Sequence, residues 1–502
     1  MNKFILAIDQ GTSSSRALIV DETGEIRTAA QASVRATYPH PGWVNQDANE
    51  LWDVTLGVTR AVIAQAAIAV EAIAAIGITN QRETTILWDR ATGEPVAPAI
   101  VWQSRQSAAI IDRVVAQGHG AAIVRITGLT PDAYFSASKI VWLFEDQPEL
   151  RVRAEAGDLA FGTVDSWLIW KLTAGRRHVT DATNAARTML FDIRAQVWSD
   201  QLLQLFDVPR AILPEVVDSI GGGIETDPSI FGAPLLISGI AGDQHAALFG
   251  QVCFSPGEAK NTYGTGSFLL MNTGAAPAES HRKLLTTLAW RDRGATTYAL
   301  EGAIFVTGSA VQWLRDGLGI IGDAREIEQL AESVDSSGGV VFVPALTGLG
   351  APDWDPSARG VILGLTRGTS RAHLARAALE GIAAQTSGLF EVMREDSGVT
   401  LSELRVDGGA SRNNLLMQIQ ADVLGVPVVR PRITETTAIG AAYMAGLGAG
   451  IWRSMEEIRG MWQEERRFLP AMSDERRAFM RDRWREAAAR ARDWSRWEIA
   501  PP

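Results

Sequence analysis

Two side chains of opposite charge follow an apolar run in the first part of the chain. Residues 72–78 predict a strand that ends at Thr79, and Arg82 and Glu83 come just after it. A guanidinium donates to hydroxyl oxygens and a carboxylate accepts from hydroxyl hydrogens, so this pair can bind a polyol. Adjacent Arg and Glu are also common as a solvated surface pair. The rest of the sequence decides between the two interpretations.

Two stretches half a chain apart share the pattern of strand, tight turn and strand. The first covers residues 4–21 with its turn at 9–15, and the second covers 258–272 with its turn at 263–267. Turns rich in Gly, Thr and Ser point backbone N–H groups and hydroxyls at one place, which suits a phosphate. Either turn alone is most simply an ordinary hairpin. The matching pair predicts a duplicated domain.

The elements that position these turns alternate between strand-like and helix-like runs. The predicted strands are 235–240, 339–343 and 404–407, and the predicted helices are 372–396, 414–424 and 473–497. This alternation is typical of an α/β protein. Because 502 residues exceed one ordinary core, we expect two domains, 1–250 and 251–502, joined by a tight hinge near Gly250.

Composition excludes several classes of protein. The net charge of −11 argues against a nucleic-acid partner and against binding to an anionic membrane. The apolar run 4–8 is too short for a signal peptide, and run 61–78 is interrupted by polar residues, so no membrane insertion is expected. Cys253 is the single cysteine, which favours a reducing, cytoplasmic location. The histidines give no zinc motif, and no P-loop sequence of the form GxxxxGKS or GxxxxGKT occurs.

The chain resembles the FGGY carbohydrate kinases from about residue 4 to about residue 470. The motifs that carry the resemblance are the first turn, 77–85, 99–103, 134–136 with Lys139 and Trp142, 161–165, 241–250, 261–268, 347–352 and 407–410. The family's fold is the actin-like, ribonuclease-H-like ATPase fold, in which two related α/β domains enclose a central cleft. The matching hairpins agree with this fold class.

Within the family the chain is most similar to members that phosphorylate glycerol. The resemblance implies the reaction ATP + glycerol → sn-glycerol 3-phosphate + ADP, with Mg²⁺ as cofactor. A primary alcohol loses its proton as it is phosphorylated, and the resemblance assigns the general base to Asp243. Asp9 looks like the magnesium-side carboxylate, acting through water, and Asp243 is the second metal-side carboxylate.

The resemblance also implies the residues that bind the two substrates. Those for glycerol are Arg82, Glu83, Trp102, Tyr134, Asp243, Gln244 and Phe268. Those for ATP are Thr12, Ser13, Ser14, Arg16, Thr265, Gly266, Gly308, Gln312, Gly409 and Asn413. Trp102 and Phe268 would form an apolar wall against the C–H faces of a three-carbon triol. Bulk at Phe268 favours glycerol over a pentulose.

Two other functions stay open. One is an FGGY kinase for a longer polyol or a ketose, which the aromatic set disfavours. The other is a non-catalytic actin-like sensor or filament subunit, which the intact Asp9 and Asp243 disfavour. His245 stands where many members carry Gln, and Ser267 where some carry Cys. The histidine bears on pH dependence but not on the identity of the substrate. We expect a homo-oligomer, either a dimer or a tetramer.

A regulatory site of some relatives has a counterpart here. Some bacterial members are inhibited by fructose 1,6-bisphosphate, bound at a glycine-rich loop that carries an Arg. The similar segment, 219–234, keeps three consecutive glycines but contains Glu225 and Asp227 and no Arg or Lys. A phosphate dianion needs charge-assisted donors. We therefore expect no inhibition through this segment.

Overall fold

The computed structural model describes residues 3–497 and is built around one mixed sheet of thirteen strands. In chain order these strands, β1 to β13, are Phe4–Gln10, Ser14–Asp21, Ile26–Ser33, Ile73–Asn80, Ile220–Glu225, Leu236–Gly242, Glu258–Tyr263, Ser267–Gly274, Leu285–Asp292, Ala295–Ile304, Glu403–Asp407, Val428–Pro431 and Glu464–Phe468. Their order across the sheet is β13-β12-β11-β7-β8-β10-β9-β5-β6-β4-β1-β2-β3. Shorter strands pair outside it: Asn45–Gln46 with Ala99–Ile100, Ile86–Asp89 with Leu159–Gly162, Val179–Asp181 with Glu215–Val217, Phe191–Asp192 with Val197–Trp198, and Val341–Val343 with Val361–Leu363.

Helices cover both faces of this sheet and fill the insertions between its strands. In chain order α1 to α17 are Ala48–Ala66, Ala108–Ala116, Gly120–Thr127, Ser136–Asp146, Pro148–Ala156, Val164–Leu172, Ala182–Ala185, Asp200–Leu205, Pro228–Phe231, Asp243–Gly250, Gly308–Asp316, Glu326–Glu332, Arg371–Ser397, Asn414–Leu424, Thr436–Gly448, Met455–Met461 and Asp474–Ala491. Short 3₁₀ turns lie at Val70–Ala72, Arg210–Ile212, Gly409–Arg412 and Trp494–Trp497. Each helix described between residues 3 and 497 is too short or too polar to cross a lipid bilayer.

The sheet consists of two related halves. In the first, β1 pairs antiparallel with β2 and parallel with β4. In the second, β7 pairs antiparallel with β8 and parallel with β11. The halves join where Ile220 on β5 lies opposite Asp292 on β9. This arrangement confirms the α/β fold class and the repeated hairpin, while the division of the chain at residue 250 stays a prediction.

Both hairpin turns are shorter than the sequence predicted. The ladder of the first hairpin continues through Asp9, opposite Arg16, and Gln10, opposite Ser15. The second continues to Tyr263, opposite Ser267. At the tip of each hairpin, polar side chains therefore lie on a regular strand, at positions where the sequence predicted a turn.

Helix α15 returns from the second half and packs on the sheet of the first. A Cβ atom at Gly77 on β4 would lie 2.1 Å from the Ala441 carbonyl oxygen, and one at Gly239 on β6 would lie 2.4 Å from the Ala445 nitrogen. Only glycine leaves room for the helix backbone at these two positions. Residues 436–448 thus complete the core of the first half.

The same helix crosses α10 at very close range. A Cβ atom at Gly440 would lie 1.8 Å from the Ala246 carbonyl oxygen, and one at Gly250 would lie 2.1 Å from the Thr436 carbonyl oxygen. The glycines permit the two helix backbones to touch. Gly250, near which the sequence predicted a hinge, therefore lies in a tight helix crossing.

Gly440→Ala is expected to lower the free energy of unfolding by about 1–3 kcal/mol, because the added methyl group overlaps a carbonyl oxygen. Gly57→Ala is the matched control. It lies in the exposed middle of α1, its new Cβ would have no heavy atom within 4 Å, and it should stabilise the fold by about 0.5–1 kcal/mol. Denaturant unfolding of both variants measures the two effects. An unchanged midpoint for Gly440→Ala would contradict the close crossing.

Most predicted elements are present with altered ends. The helix at 414–424 matches α14, and 372–396 lies within α13. The strand predicted at 339–343 begins only at Val341, because Gly338 and Gly339 have φ values of +60° and +87° and form a turn. The helix predicted at 473–497 ends at Ala491 and is followed by a 3₁₀ turn.

Candidate active site

Three parallel strands end at the same edge of the first half. Strands β1, β4 and β6 lie side by side, with Asp9 opposite Thr79 and Thr79 opposite Ala241. In open α/β sheets, ligands bind at the carboxyl ends of such strands. This edge brings together Asp9, the segment 81–84 and Asp243.

Asp243, the predicted base, is the first residue of α10 and is part-exposed. Its Oδ1 accepts a hydrogen bond from the Gln244 backbone N–H at 2.6 Å and lies 3.2 Å from Arg82 Nε. No group between residues 3 and 497 donates a hydrogen bond to its Oδ2. One oxygen is therefore fixed, and the other is available to a substrate hydroxyl.

Asp9 lies near Asp243 and fits a cation. Burial, followed by the negative charge of Asp243, raises the pKa of Asp9 to about 7, while Arg16 opposes the shift. A cation between two repelling carboxylates removes this penalty. Mg²⁺ commonly takes one or two protein carboxylates together with substrate phosphates. Among residues 3–497 no cluster of three or more acidic, His or Cys side chains forms a closed metal site. The pair therefore suits a magnesium ion held jointly with a phosphate.

Arg82 and Glu83 are buried, with only 3% and 1% of their surface exposed. This burial excludes the solvated surface pair. Glu83 has a φ of +60°, in the left-handed region, which costs a non-glycine residue about 1–3 kcal/mol. Ser136 Oγ donates to the Glu83 carbonyl oxygen at 3.0 Å, and Arg187 Nε donates to Glu83 Oε1 at 2.6 Å. These contacts hold Glu83 in its strained conformation.

Two charged partners of this pair were missed by sequence reasoning. Arg82 Nη1 and Nη2 donate to Glu301 Oε2 and Oε1 at 2.6 and 2.9 Å, and Arg187 Nη2 donates to Glu301 Oε1 at 3.1 Å. Burial acts to raise the pKa of Glu301, but Arg187 and Arg82 hold it well below its ordinary value. The available signal was an acid inside residues 299–304 of β10, whose other members are apolar or glycine. Charged side chains are almost never fully buried unless they are paired.

Aromatic side chains line one side of the site. Trp102 Nε1 donates to Thr12 Oγ1 at 2.9 Å, and its ring meets the Tyr134 ring edge-on with centroids 5.4 Å apart. Lys139 Nζ donates to the Tyr134 carbonyl oxygen at 2.6 Å and so holds the loop that carries this ring. Burial lowers the pKa of Lys139 to about 7. Trp102, a residue of the predicted wall, is therefore in contact with Tyr134, a predicted glycerol ligand.

Gln244 joins the site to the second half. Lys260 Nζ, on β7, donates to Gln244 Oε1, and it donates to Thr262 Oγ1 at 3.0 Å. Because Gln244 Oε1 already accepts this hydrogen bond, the orientation of the side-chain amide is fixed. Gln244 Nε2 is then the atom that can donate to a ligand. Burial lowers the pKa of Lys260 to about 8, against opposing effects of Asp407 and Asp243. Lys260 is a further charged strand residue that sequence reasoning missed.

Phe268, the other predicted wall residue, lies on the same face of the sheet as Glu301. Leu270 is two residues along β8 from Phe268 and is the cross-strand partner of Glu301, so all three side chains are on that face.

His245 is fully buried, with Nε2 3.2 Å from Thr287 Oγ1. Burial and then Arg82 lower the pKa of His245 well below its usual value. The imidazole is neutral at physiological pH.

The first hairpin turn, predicted to bind phosphate, is closed by a hydrogen bond from Gly11 N to Ser14 O at 2.9 Å. Gln46 Nε2 donates to the Thr12 carbonyl oxygen at 2.6 Å, and Ser13 is exposed at the tip. Gln31 ties two further predicted ligands together. Its Nε2 donates to Ser14 Oγ, and its Oε1 accepts from Arg16 Nη2, each at 2.9 Å. Ser14 and Arg16 thus share one partner, while Thr12 is held separately by Gln46.

The second turn rests on the first residues of α11. The Thr265 carbonyl oxygen accepts from Thr307 N at 2.9 Å, and Gly308 N donates to the Gly264 carbonyl oxygen at 3.0 Å. A Cβ atom at Gly266 would lie 2.4 Å from the Ile304 carbonyl oxygen, so glycine is required there. Gln312 is exposed one turn further along the helix. The structure thus brings Thr265, Gly266, Gly308 and Gln312 together.

The remaining predicted nucleotide residues lie beside this turn. A Cβ atom at Gly408 would lie 2.5 Å from the Tyr263 carbonyl oxygen, so the segment that carries Gly409 abuts the second hairpin. Asn413 Oδ1 accepts from Leu416 N at 2.8 Å and caps α14. This capping contact gives Asn413 a structural role in addition to the predicted one.

Two related α/β halves, a glycine-containing hairpin turn in each, and a charged and aromatic site at their junction define a protein of the actin-like, ribonuclease-H-like ATPase class. The sequence relationships are more specific.

The chain belongs to the FGGY family of carbohydrate kinases. Residues 4–250 match the N-terminal domain of the family, and residues 259–449 match the C-terminal domain. The chain is 58% identical over 491 residues to glycerol kinase of Aromatoleum aromaticum, covering 98% of this chain and 99% of the relative. It is 55% identical over 493 residues to glycerol kinase of Deinococcus radiodurans, covering 98% of each.

Solved structures agree with this membership. The crystal structure of Plasmodium falciparum glycerol kinase with ADP is similar at a TM-score of 0.92 and 36% identity, over 98% of both chains. Xylulose kinase from Lactobacillus acidophilus has a TM-score of 0.87 at 20% identity over 96% of each chain, a similarity of fold alone.

Proposed function

We propose that this protein transfers the γ-phosphoryl group of ATP to glycerol, forming sn-glycerol 3-phosphate and ADP. The observation that carries the proposal is the 58% identity, over nearly the whole of both chains, to a relative named glycerol kinase. The polar and aromatic lining of the site supports it. Donors and acceptors for hydroxyls lie beside an aromatic wall, a combination that suits a small triol.

In this proposal, Arg82 and Glu83 bind the glycerol hydroxyls and Gln244 Nε2 donates to a hydroxyl oxygen. Trp102, Tyr134 and Phe268 line the C–H faces. The free oxygen of Asp243, Oδ2, accepts the proton of the attacking hydroxyl as the new O–P bond forms. Arg82 holds the other oxygen of the same carboxylate.

The phosphate chain of ATP lies between the two turns. Thr12, Ser13, Ser14 and Arg16 bind it from the first half, Thr265 and Gly266 bind it from the second, and Gly308, Gln312, Gly409 and Asn413 contact the rest of the nucleotide. Asp9 and Asp243 would hold Mg²⁺, which would neutralise negative charge on the phosphates. Phosphoryl transfer requires mainly such positioning and electrostatic stabilisation from a protein. A cytoplasmic location and a dimeric or tetrameric assembly stay predictions.

A coupled assay of ADP release tests the function. Purified protein with Mg²⁺ and ATP is given glycerol, xylulose or erythritol at equal concentrations, and the product from glycerol is identified by mass spectrometry. We expect turnover with glycerol to exceed that with either other acceptor by a wide margin. Faster turnover with xylulose or erythritol would favour the kinase of a longer polyol or ketose. ADP release independent of all acceptors would contradict the proposal.

Fructose 1,6-bisphosphate is expected not to inhibit this enzyme through the segment 219–234. Gly221, Gly222 and Gly223 have φ values of +109°, +47° and +59° and form an irregular stretch of β5, in which Gly222 and Gly223 are exposed. The segment offers no cation, and Glu225 and Asp227 repel an anion. Titration of the assay to millimolar bisphosphate is the measurement. Clear inhibition that is lost on replacement of the three glycines would show that this segment binds the bisphosphate.

A further inference from the structure

Four charged side chains form a closed buried ring beside the proposed base. The members of this ring are Arg82, Glu83, Arg187 and Glu301, and each is no more than 3% exposed. Glu301 accepts from both arginines, and Arg187 links it to Glu83. Arg82 Nε closes the ring, at 3.8 Å from Glu83 Oε1. Two positive and two negative charges balance, which is what makes their burial tolerable.

The ring fixes the direction in which Arg82 presents its donors. A guanidinium is a rigid planar fork. Glu301 engages the Nη1 and Nη2 end of that fork in a bidentate contact. With that end held, the Nε edge lies 3.2 Å from Asp243 Oδ1. Because the group is rigid, any rotation that changes the contact with Asp243 also disturbs both hydrogen bonds to Glu301.

The members of the ring come from both halves of the sheet. Arg82 and Glu83 follow β4, and Arg187 follows α7, all in the first half. Glu301 lies on β10 in the second half, where it is the cross-strand partner of Leu270 on β8. The orientation of Arg82 therefore depends on the second half being docked against the first.

We propose that Glu301 and Arg187 are positioning residues for the phosphorylation of the polyol, which orient Arg82 and Glu83 only when the two halves are docked. The inference rests on the proposed function for the identity of the acceptor. Neither residue touches the substrate in this scheme. Glu301 acts through Arg82 on the hydroxyl ligands and on Asp243, and Arg187 acts through Glu83.

The test uses Glu301→Gln in the full-length enzyme, with Glu258→Gln as the matched control. Glu258 is also a part-buried strand carboxylate that pairs with two arginines, Arg405 at 3.3 Å and Arg459 at 2.6 Å, but it lies at the far end of β7. We expect Glu301→Gln to raise the KM for glycerol roughly 10- to 100-fold and to lower kcat. The KM for ATP should stay within about twofold of wild type in both variants. Glu258→Gln should also leave the KM for glycerol within about twofold of wild type.

A charge-balanced variant separates positioning from fold stability. Glu301→Gln alone leaves an excess positive charge in the ring, whereas Arg187→Gln combined with Glu301→Gln restores neutrality. We expect the double variant to recover much of the melting temperature lost in Glu301→Gln while its KM for glycerol stays high. It also supplies the kinetic test if the single variant does not fold. Glu301→Asp, which keeps the charge on a shorter side chain, should rescue part of the glycerol affinity.

The proposal is overturned if Glu301→Gln and the double variant both keep a KM for glycerol within twofold of wild type. It is also overturned if the KM for glycerol and the KM for ATP rise equally, or if the double variant restores affinity and stability together. Wild-type turnover of glycerol tests the proposed function separately. If the wild type prefers another acceptor, that function fails, and the same variant-to-wild-type ratios measured with the preferred acceptor still decide the role of the ring.

Discussion

Asp243→Asn is expected to lower turnover of glycerol by about 10²–10⁴-fold. Asparagine keeps the size of the side chain and an oxygen for the Gln244 N–H, but its amide cannot accept the proton of the attacking hydroxyl. The KM for glycerol should change far less than kcat, because Arg82 and Glu83 are unaltered. Steady-state kinetics over a range of glycerol concentrations at saturating ATP separates the two constants.

Asp227→Asn is the control for this substitution. Asp227 caps α9 by accepting from Ser229 N at 3.0 Å, and asparagine caps a helix equally well. Its kcat should match wild type. Turnover of Asp243→Asn within a few-fold of wild type would exclude Asp243 as the general base.

Glu83→Ala is expected to weaken glycerol binding by roughly 5- to 150-fold, the effect of an unpaired buried polar partner of about 1–3 kcal/mol. It should also lower the free energy of unfolding by about 3–5 kcal/mol, since Arg187 loses its 2.6 Å contact while it remains buried. Binding can be followed by tryptophan fluorescence, because Trp102 lies in the site. ATP affinity should change little.

Glu25→Ala provides the comparison for the stability effect. Glu25 pairs with Arg432, but both side chains are more than 40% exposed, so the loss should be no more than about 1 kcal/mol. Similar melting temperatures for Glu25→Ala and Glu83→Ala would contradict the account of a buried ring. Unchanged glycerol affinity in Glu83→Ala would contradict its role as a hydroxyl ligand.

Local chain patterns predicted the elements that carry the site. The run before Thr79 is a strand, and it ends at Asn80, one residue beyond the prediction. The two hairpins were predicted because Gly, Thr and Ser cluster between two strand-like runs in each. Their exact turns were misplaced, because cross-strand pairing extends the ladder through polar residues such as Asp9 and Gln10.

Contacts between the halves were not predictable in the same way. Glu301 is more than 200 residues from Arg82 in the chain, and nothing local to either residue encodes their bidentate contact. The negative charge of Glu301 on β10 indicates that this side chain has a charged partner, but it does not identify that partner. Likewise Lys260 is the partner of Gln244 because β7 packs against the start of α10. Such pairings follow from the tertiary fold and require coordinates.

The return of α15 to the first half has a consequence for biosynthesis. Strands β4 and β6 are made early, but the helix that covers their glycine-lined face ends at Gly448. At about 5–20 residues per second, the roughly 200 residues between α10 and the end of α15 take about 10–40 s to translate. For that time the nascent first half exposes an uncovered apolar face on the ribosome. A chain released before residue 448 cannot bury this face and is left prone to aggregation.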